Sequence, residues 1–466
     1  MTGPLYFIPD LDRHDPRGAA ATVPAGCPPD VRVLGPQDLA IGDRRTLEGM
    51  ASHAADRILS VPATPALRVA GAGRGAVLAL QLALELQGRD QAVAFASAID
   101  LPDALLPELP WAGDSLPVLA VQTTGAAGDA GDAAARQAAG WRRVLPDARR
   151  HVLRYPDLAA ALAELQRHPA MAAPPAHNPL QTLQQSRQAE GTVFCCPGAG
   201  DSITRFIALA GQLGAGMTVQ GLQPRGIDGL GLPHTTVQAA AQGMLRAMLA
   251  QRPRGPLHLI GHSFGGWIAF ELAHLLARAG RPAASLTLVD SEAPGGDGRV
   301  GREYLHHEAL ERFCDLVDMA APRPLGLQRA ALRMARPDER LPMLHQAMVG
   351  AGMFSPRTQP AVLTGPFRTF CAALRTRYRP VDQPLPAATR VSLVCVGDSR
   401  LTPVQNAEIN RATDLGWRAL APQLVYWDGP GNHMTILAAP QVQQLGAWWQ
   451  RSLTAAEPAV AAGAGA

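Results

Sequence analysis

The chain lacks lysine altogether, and its 42 arginines against 39 acidic residues give a formal net charge of only +3. A balance so close to neutral gives no reason to expect nucleic acid or an anionic membrane as a partner. No run approaches the ~18 apolar residues that a membrane span needs. The first residues also lack a basic segment followed by a long apolar one, so we expect no secretory signal. These absences predict a cytoplasmic protein.

Cysteine is scarce and shows no metal-site spacing. The six cysteines are Cys27, Cys195, Cys196, Cys314, Cys371 and Cys395. None forms a C-x-x-C pair, and two of them lie within apolar runs typical of strands. We therefore expect buried free thiols in a reducing compartment, with neither disulfides nor a bound metal.

At 466 residues the chain is too long for one ordinary core, and its composition divides it. A stretch rich in Pro, Ala and Gln at 169–190 predicts a linker. It separates a domain at 1–168 from a domain at 191–455, and residues 456–466 look like a flexible tail. In the second domain short β-rich runs alternate with apolar helices, which predicts an α/β fold with a mostly parallel sheet. A helical block at about 297–388 interrupts the strand series and is typical of a lid.

The strongest motif is L-H-L-I-G-H-S-F-G-G at 257–266, followed by an apolar helix. It is the G-x-S-x-G turn between a strand and a helix that carries a nucleophilic serine. Gly261 and Gly265 allow a tight turn, so that the hydroxyl of Ser263 stands clear of the sheet. We therefore predict Ser263 as the nucleophile.

A nucleophilic serine needs a histidine base, and the base needs a carboxylate to orient it. In this chain order the histidine comes last, and His433 lies on a glycine-rich loop after the final predicted strand. Two carboxylates end predicted strands, Asp290 after S-L-T-L-V and Asp398 after V-S-L-V-C-V-G. Both positions suit an acid at the carboxyl edge of the sheet.

The oxyanion of the intermediate needs backbone N–H donors beside the nucleophile. One should be Phe264, the residue after the serine. For the second we predict Gly198, because it follows Pro197 at the end of the strand F-C-C-P.

Residues 192–450 resemble the type I thioesterase domain of nonribosomal peptide and polyketide synthases. The resemblance rests on G-H-S-F-G-G, F-C-C-P-G-A-G, G-L-Q-P-R-G at 221–226, L-V-D-S-E-A-P at 288–294 and G-N-H-M at 431–434. It implies acyl transfer from the phosphopantetheine thioester of a carrier protein to Ser263, then release by hydrolysis or cyclisation. It also implies Asp290 as the acid, with Asp398 as the alternative.

No carrier domain is evident, so the resemblance implies an acyl or peptidyl carrier protein, or an upstream synthetase module, as partner. It implies no cofactor beyond the phosphopantetheine that presents the substrate. Two other functions stay open at this point. One is a stand-alone editing thioesterase that clears stalled carriers, and the other is a non-catalytic scaffold or binding partner.

The first half carries L-R-V-A-G-A-G-R-G-A at 67–76, in which Gly71, Gly73 and Ala76 fit a dinucleotide-binding G-x-G-x-x-A turn. When the two halves are superposed with a shift of 190, however, Gly73 falls on Ser263 and Asp100 on Asp290. We therefore favour a degenerate, lidless copy of the same fold, without nucleophile or base, over a nucleotide-binding domain. The sequence thus predicts two tandem α/β-hydrolase folds, of which the second carries a helical lid.

Overall fold

The structure is a computed structural model. It describes residues 4–11, 28–40, 46–60, 66–102, 104–105, 116–123, 150–168, 177–295 and 303–454. The predicted flexible tail at 456–466 and Cys27, which the sequence predicts to be buried, lie outside these residues. No helix in these ranges is long and apolar enough to cross a membrane.

Two sheets contain all of the strands in the described residues. The first sheet contains β1 (Leu5–Ile8), β2 (Val31–Val33), β3 (Leu67–Ala72), β4 (Val93–Ile99), β5 (Val118–Thr123) and β6 (Arg150–Tyr155). The second contains β7 (Leu180–Gln184), β8 (Gly191–Cys196), β9 (Met217–Leu222), β10 (Leu257–His262), β11 (Ser285–Val289), β12 (Arg390–Cys395) and β13 (Val425–Asp428).

Helices connect the strands. Those of the first domain are α1 (Pro36–Leu39), α2 (Leu47–Leu59), α3 (Arg74–Gly88) and α4 (Leu158–Arg167). Those of the second domain are α5 (Ile207–Ala210), α6 (Val237–Ala250), α7 (Phe264–Arg278), α8 (His306–Ala320), α9 (Arg329–Met334), α10 (Pro337–Gly350), α11 (Thr364–Arg375), α12 (Pro403–Leu420) and α13 (Gln441–Thr454).

Apart from β7 at the edge of the second sheet, the two sheets have the same strand order. The first runs β2-β1-β3-β4-β5-β6 and the second runs β9-β8-β10-β11-β12-β13, in each case with neighbouring strands parallel. Every residue of β8 and β10 is buried, as expected for central strands covered by helices on both faces. The predicted α/β fold with mostly parallel sheets is confirmed.

One strand lies where the sequence predicts a linker. Residues 180–184 of the expected 169–190 linker form β7, which pairs antiparallel with β9 at the edge of the second sheet. The prediction is therefore wrong for that part, and residues 169–176 lie outside the described ones. In L-Q-T-L-Q only Leu180 is buried, so this polar edge strand lacks the apolar run that marks the central strands.

Helices α8 to α11 form a lid with a small core of its own. They follow β11 and precede β12, so the lid lies at the carboxyl edge of the second sheet. Their apolar side chains pack on one another in a cluster separate from those that cover the sheet, and this cluster includes Leu310, Phe313, Leu344 and Phe367. The lid is thus a layer with few apolar connections to the sheet below it.

The two domains meet at the end of helix α3. Oδ1 of Asp90 lies 2.8 Å from Nη1 of Arg225, and Oδ2 lies 2.9 Å from Nη2 of Arg246. Arg225 also donates from Nη2 to the carbonyl of Gln87 (2.9 Å). Beside these contacts, Leu232 of the second domain joins the apolar core of the first. Polar and apolar contacts therefore both hold the domains together.

Candidate active site

Ser263 lies on a sharp turn between β10 and α7. Its backbone has φ 54° and ψ −129°, and its N–H donates to the carbonyl of Val289 (2.9 Å). Cβ atoms at Gly261 and Gly265 would lie 2.4 Å and 2.1 Å from carbonyl oxygens of neighbouring backbone. Only glycine fits at both positions, so the motif allows the strand, turn and helix to pack this closely.

His433 and Asp290 form a hydrogen-bonded pair. Nδ1 of His433 donates to Oδ2 of Asp290 over 2.6 Å. Oδ1 of the same carboxylate accepts the N–H of Val396 (3.2 Å), so both of its oxygens have partners. Burial alone lowers the pKa of His433, but the hydrogen bond and the charge of Asp290 raise this pKa above its ordinary value.

Asp398, the alternative acid, is engaged elsewhere. Its two oxygens accept from Nε (2.9 Å) and Nη2 (2.6 Å) of Arg400. This hydrogen bond lowers the pKa of Asp398, with burial acting in the opposite direction. The geometry therefore favours Asp290 over Asp398 as the partner of His433.

The loop that carries His433 is held from several sides. Nε2 of His262 donates to the carbonyl of His433 (2.9 Å), and the two rings lie 4.7 Å apart. Nη1 of Arg205 donates to the carbonyl of Met434 (3.2 Å), and Oδ1 of Asn432 accepts the N–H of Met434 (2.9 Å). Burial first, and then repulsion from the His433 ring when that ring is protonated, hold the pKa of His262 well below its ordinary value. His262 is therefore a neutral donor that positions the loop.

Sequence reasoning passed over His262. The signal available was its place directly before the serine in G-H-S, as the last residue of β10. Its contact with a loop 171 residues further along the chain leaves no trace in the sequence.

Two cavities meet at Ser263 and His433. The larger, of about 600 Å³, is lined on one side by lid residues such as Tyr304 and Phe370 and on the other by the Asp398–Arg400 loop. The smaller, of about 380 Å³, has an apolar lid wall that includes Phe313, Val317, Met348, Met353 and Phe354. The larger volume is within the range of sites that hold a small organic ligand.

Both predicted oxyanion donors lie beside the serine. Phe264 begins helix α7 directly after Ser263, so its N–H is among the first N–H groups of that helix, which have no partner within the helix. A Cβ on Gly198 would lie only 3.1 Å from Cβ of Ser263, and Gly198 lines the smaller cavity together with the serine and His433. The structure thus brings together Ser263, Asp290, His433, Phe264 and Gly198.

Trp267 also reaches the site. It lines the larger cavity, and its Nε1 donates to the carbonyl of Glu292 (2.7 Å). The ring lies 5.6 Å from that of Tyr378, so both a hydrogen bond and ring packing fix its position.

The described residues contain no cluster of three or more His, Cys, Asp or Glu side chains that could hold a metal ion. Within the same ranges five cysteines are buried and free, and burial raises the pKa of the Cys314 thiol to about 12. These thiols are unsuited to nucleophilic chemistry at neutral pH.

The corresponding edge of the first sheet has the same turn with other side chains. Gly73 adopts φ 51° and ψ −127°, close to the values of Ser263. Oδ1 of Asp10 accepts the N–H of Arg74 (3.2 Å), and a Cβ on Gly73 would lie 2.4 Å from Cγ of Asp10. Oδ1 and Oδ2 of Asp100 accept from the N–H (2.8 Å) and the hydroxyl (2.6 Å) of Thr123. The Asp10 carboxylate therefore fills the space above the turn at Gly73.

Comparison with known proteins places the second domain among thioesterases. A family model described as thioesterase domain matches residues 191–445, more than half of the chain. An indigoidine synthase of Streptomyces lavendulae is 36% identical over 115 residues, which are 24% of this chain and 9% of that protein. The nonribosomal peptide synthetase apvA of Aspergillus terreus is 30% identical over 179 residues, 38% of this chain and 18% of that protein.

The matched part of the chain thus spans less than a fifth of the length of either synthetase. Among solved structures, holo-AB3403, a four-domain nonribosomal peptide synthetase, superposes with a TM-score of 0.50 at 22% identity. The superposition covers 59% of this chain and 20% of that one, and at this identity it supports the fold alone.

Proposed function

The chain belongs to the thioesterase domain family, and on that premise we propose that its second domain releases an acyl or peptidyl group from the phosphopantetheine thioester of a carrier protein. The observation that carries the proposal is the Asp290–His433 pair, which lines one cavity with a serine held on a sharp turn. The relatives named as synthetases support a carrier protein or an upstream synthetase module as the partner. No cofactor is needed beyond the phosphopantetheine arm, and a cytoplasmic location fits such a partner.

In the first half of the proposed reaction Ser263 Oγ attacks the thioester carbonyl while Nε2 of His433 takes its proton. Asp290 holds the ring so that Nε2 faces the serine, and its charge stabilises the imidazolium that forms. The tetrahedral intermediate then collapses, the carbon–sulfur bond breaks, and the pantetheine thiolate takes the proton back from His433. The products of this half are an acyl-Ser263 ester and a free carrier thiol.

The second half uses the same groups for the opposite transfer. His433 deprotonates water or a nucleophile within the acyl chain, and the ester carbon is attacked again. Ser263 leaves as the alkoxide and recovers its proton from His433, so that the acid or the cyclic product departs.

The developing oxyanion is proposed to lie between the N–H groups of Phe264 and Gly198. The turn brings both backbones close to Ser263 before any substrate is present. Removal of one such donor typically costs ~3–4 kcal/mol in the transition state.

The proposal is tested by mass spectrometry of the intact protein after incubation with a panel of acyl thioesters of N-acetylcysteamine and with a fluorophosphonate. We expect one covalent adduct, mapped to Ser263, and none in Ser263→Ala. Turnover should fall by roughly 10⁴- to 10⁶-fold in that variant. Wild-type protein that forms no adduct with any reagent would favour a scaffold, whereas rapid turnover of short acyl groups alone would favour an editing thioesterase.

A further inference from the structure

Both ends of the lid contact the first turn of helix α2 in the first domain. Where the lid begins, Oε2 of Glu303 accepts the N–H (3.1 Å) and the hydroxyl (3.3 Å) of Thr46. Where the last lid helix ends, Nη2 of Arg375 lies 3.2 Å from Oε1 of Glu48. One helix of the first domain therefore contacts both connections between the lid and the sheet.

Arg375 links these contacts to the wall of the larger cavity. Its Nη2 also donates to the carbonyl of Tyr304 (3.3 Å), the residue after Glu303. Tyr304 is only 1% exposed and lines the larger cavity, as do Phe370 and Leu374 of α11. A shift of Arg375 would therefore move side chains that face Ser263.

The packing of Glu303 depends on a glycine in α2. A Cβ on Gly49 would lie 2.3 Å from Oε1 of Glu303, so the carboxylate rests directly on the helix backbone. Alanine favours a helix more than glycine does, and Gly49→Ala should therefore support α2 while it displaces the carboxylate.

A second route from the first domain reaches the same lid helix. Arg225, which binds Asp90 and the carbonyl of Gln87, begins a loop whose Gly229 carbonyl accepts from Nη1 of Arg368 on α11 (3.2 Å). The carbonyl of Ile227 in this loop lies 2.1 Å from where a Cβ on Gly365 would be. The loop therefore seats the N-terminal part of α11, and α2 holds its C-terminal end.

We propose that the first domain positions the lid over Ser263, with Glu48, Gly49, Glu303 and Arg375 as positioning residues at the two lid ends. The lid packs mainly on itself, and such a layer opens easily unless its ends are held. The kinetic part of this proposal rests on the proposed thioesterase function, whereas the structural part does not.

Hydrogen–deuterium exchange of the full chain tests the structural part. In Glu48→Arg we expect residues 364–375 to exchange about two- to fivefold faster, the effect of losing a partly exposed ion pair and adding a like charge. In Gly49→Ala we expect exchange at 303–320 to be at least roughly 10- to 100-fold faster, because two hydrogen bonds to a charged group are lost. Strand β10 should keep its wild-type rate in both variants.

Two matched variants serve as controls. Glu164→Arg reverses a charge on α4 of the first domain, where Glu164 pairs only with Arg167 in the described part of the chain. Gly350→Ala changes a lid glycine with nothing within 4 Å of the added Cβ. Neither should alter exchange at 303–320 or 364–375.

The kinetic test uses a long-chain acyl thioester of N-acetylcysteamine. Both test variants should raise KM by roughly two- to tenfold with a smaller change in kcat, because the lid supplies binding and the triad is untouched. Wild-type exchange in the lid of both variants would overturn the proposal, and so would equal acceleration in the lid and in β10. Hydrogen–deuterium exchange does not require turnover. An inactive wild-type protein would therefore count against the thioesterase function, but the exchange experiment would still test how the lid is held.

Discussion

The turns that precede helices α3 and α7 have nearly the same backbone conformation and very different side chains. Ser263 has φ 54° and ψ −129°, and Gly73 has φ 51° and ψ −127°. In the second domain the space above the turn opens into two cavities, whereas in the first the Asp10 carboxylate fills it. The strained turn therefore belongs to the fold and exists with or without a nucleophile.

The acids of the two domains differ in the same way. Asp100 and Asp290 each directly follow a strand and have positive φ, 48° and 44°. Asp290 accepts a backbone N–H and the imidazole of His433, whereas Asp100 accepts a backbone N–H and the hydroxyl of Thr123. A short hydroxyl in place of an imidazole satisfies the carboxylate but supplies no base. The comparison teaches that a few side chains distinguish two sheet edges whose backbone turns are alike.

Replacement of the acid should produce the largest difference. We expect Asp290→Asn to lower kcat by roughly 10³- to 10⁴-fold, because the amide no longer stabilises the imidazolium and permits the wrong tautomer. Asp398→Asn, the matched control, should stay within about fivefold of wild type, since it weakens a partly exposed ion pair with Arg400. Steady-state rates on one acyl thioester decide the matter, and a greater loss in Asp398→Asn would contradict the assignment.

A smaller effect is expected on the pH dependence. His433 must be neutral to act as base, so kcat/KM should fall on the acid side as this residue is protonated. Because Asp290 raises the pKa of His433, the acid limb in Asp290→Asn should move to lower pH. The same raised pKa affects folding stability. The contribution of the Asp290–His433 pair to the free energy of unfolding is fully present below the ordinary histidine pKa and is lost as the pH rises through the raised pKa of His433. A limb that moves to higher pH in the variant would contradict this prediction.

The smallest effect on chemistry is expected in the first domain. Gly73→Ser should give no fluorophosphonate adduct at residue 73, because that edge offers no histidine among the described residues and Asp10 occupies the space. The added side chain should lower the free energy of unfolding by about 1–3 kcal/mol, since Asp10 has to move. In Gly73→Ser/Asp10→Gly we expect stability to recover and the adduct still to be missing. An adduct at residue 73 in either variant would show that the first domain retains a working site.

The sequence was most informative where chemistry demands a short local pattern. G-H-S-F-G-G predicted the turn at Ser263, and the alternation of apolar runs predicted the strands of the second sheet, because both patterns follow from backbone geometry over a few residues. The shift of 190 residues between the two halves predicted that Gly73 occupies the position in the first domain that Ser263 occupies in the second. In contrast, β7 is too polar to stand out, and the contacts of His262, Asp10 and Arg375 join residues far apart in the chain. Such contacts depend on the packed fold.

Leu232 limits how the second domain can be separated from the first by truncation of the chain. It extends from a loop of the second domain into the core of the first, beside the cations that surround Asp90. A fragment that begins after the first domain would present this leucine to solvent, at a penalty of about 1.5–3 kcal/mol, with Arg225 and Arg246 stripped of their shared carboxylate. A protein chemist who wants the serine-bearing half alone should therefore redesign this face before shortening the chain.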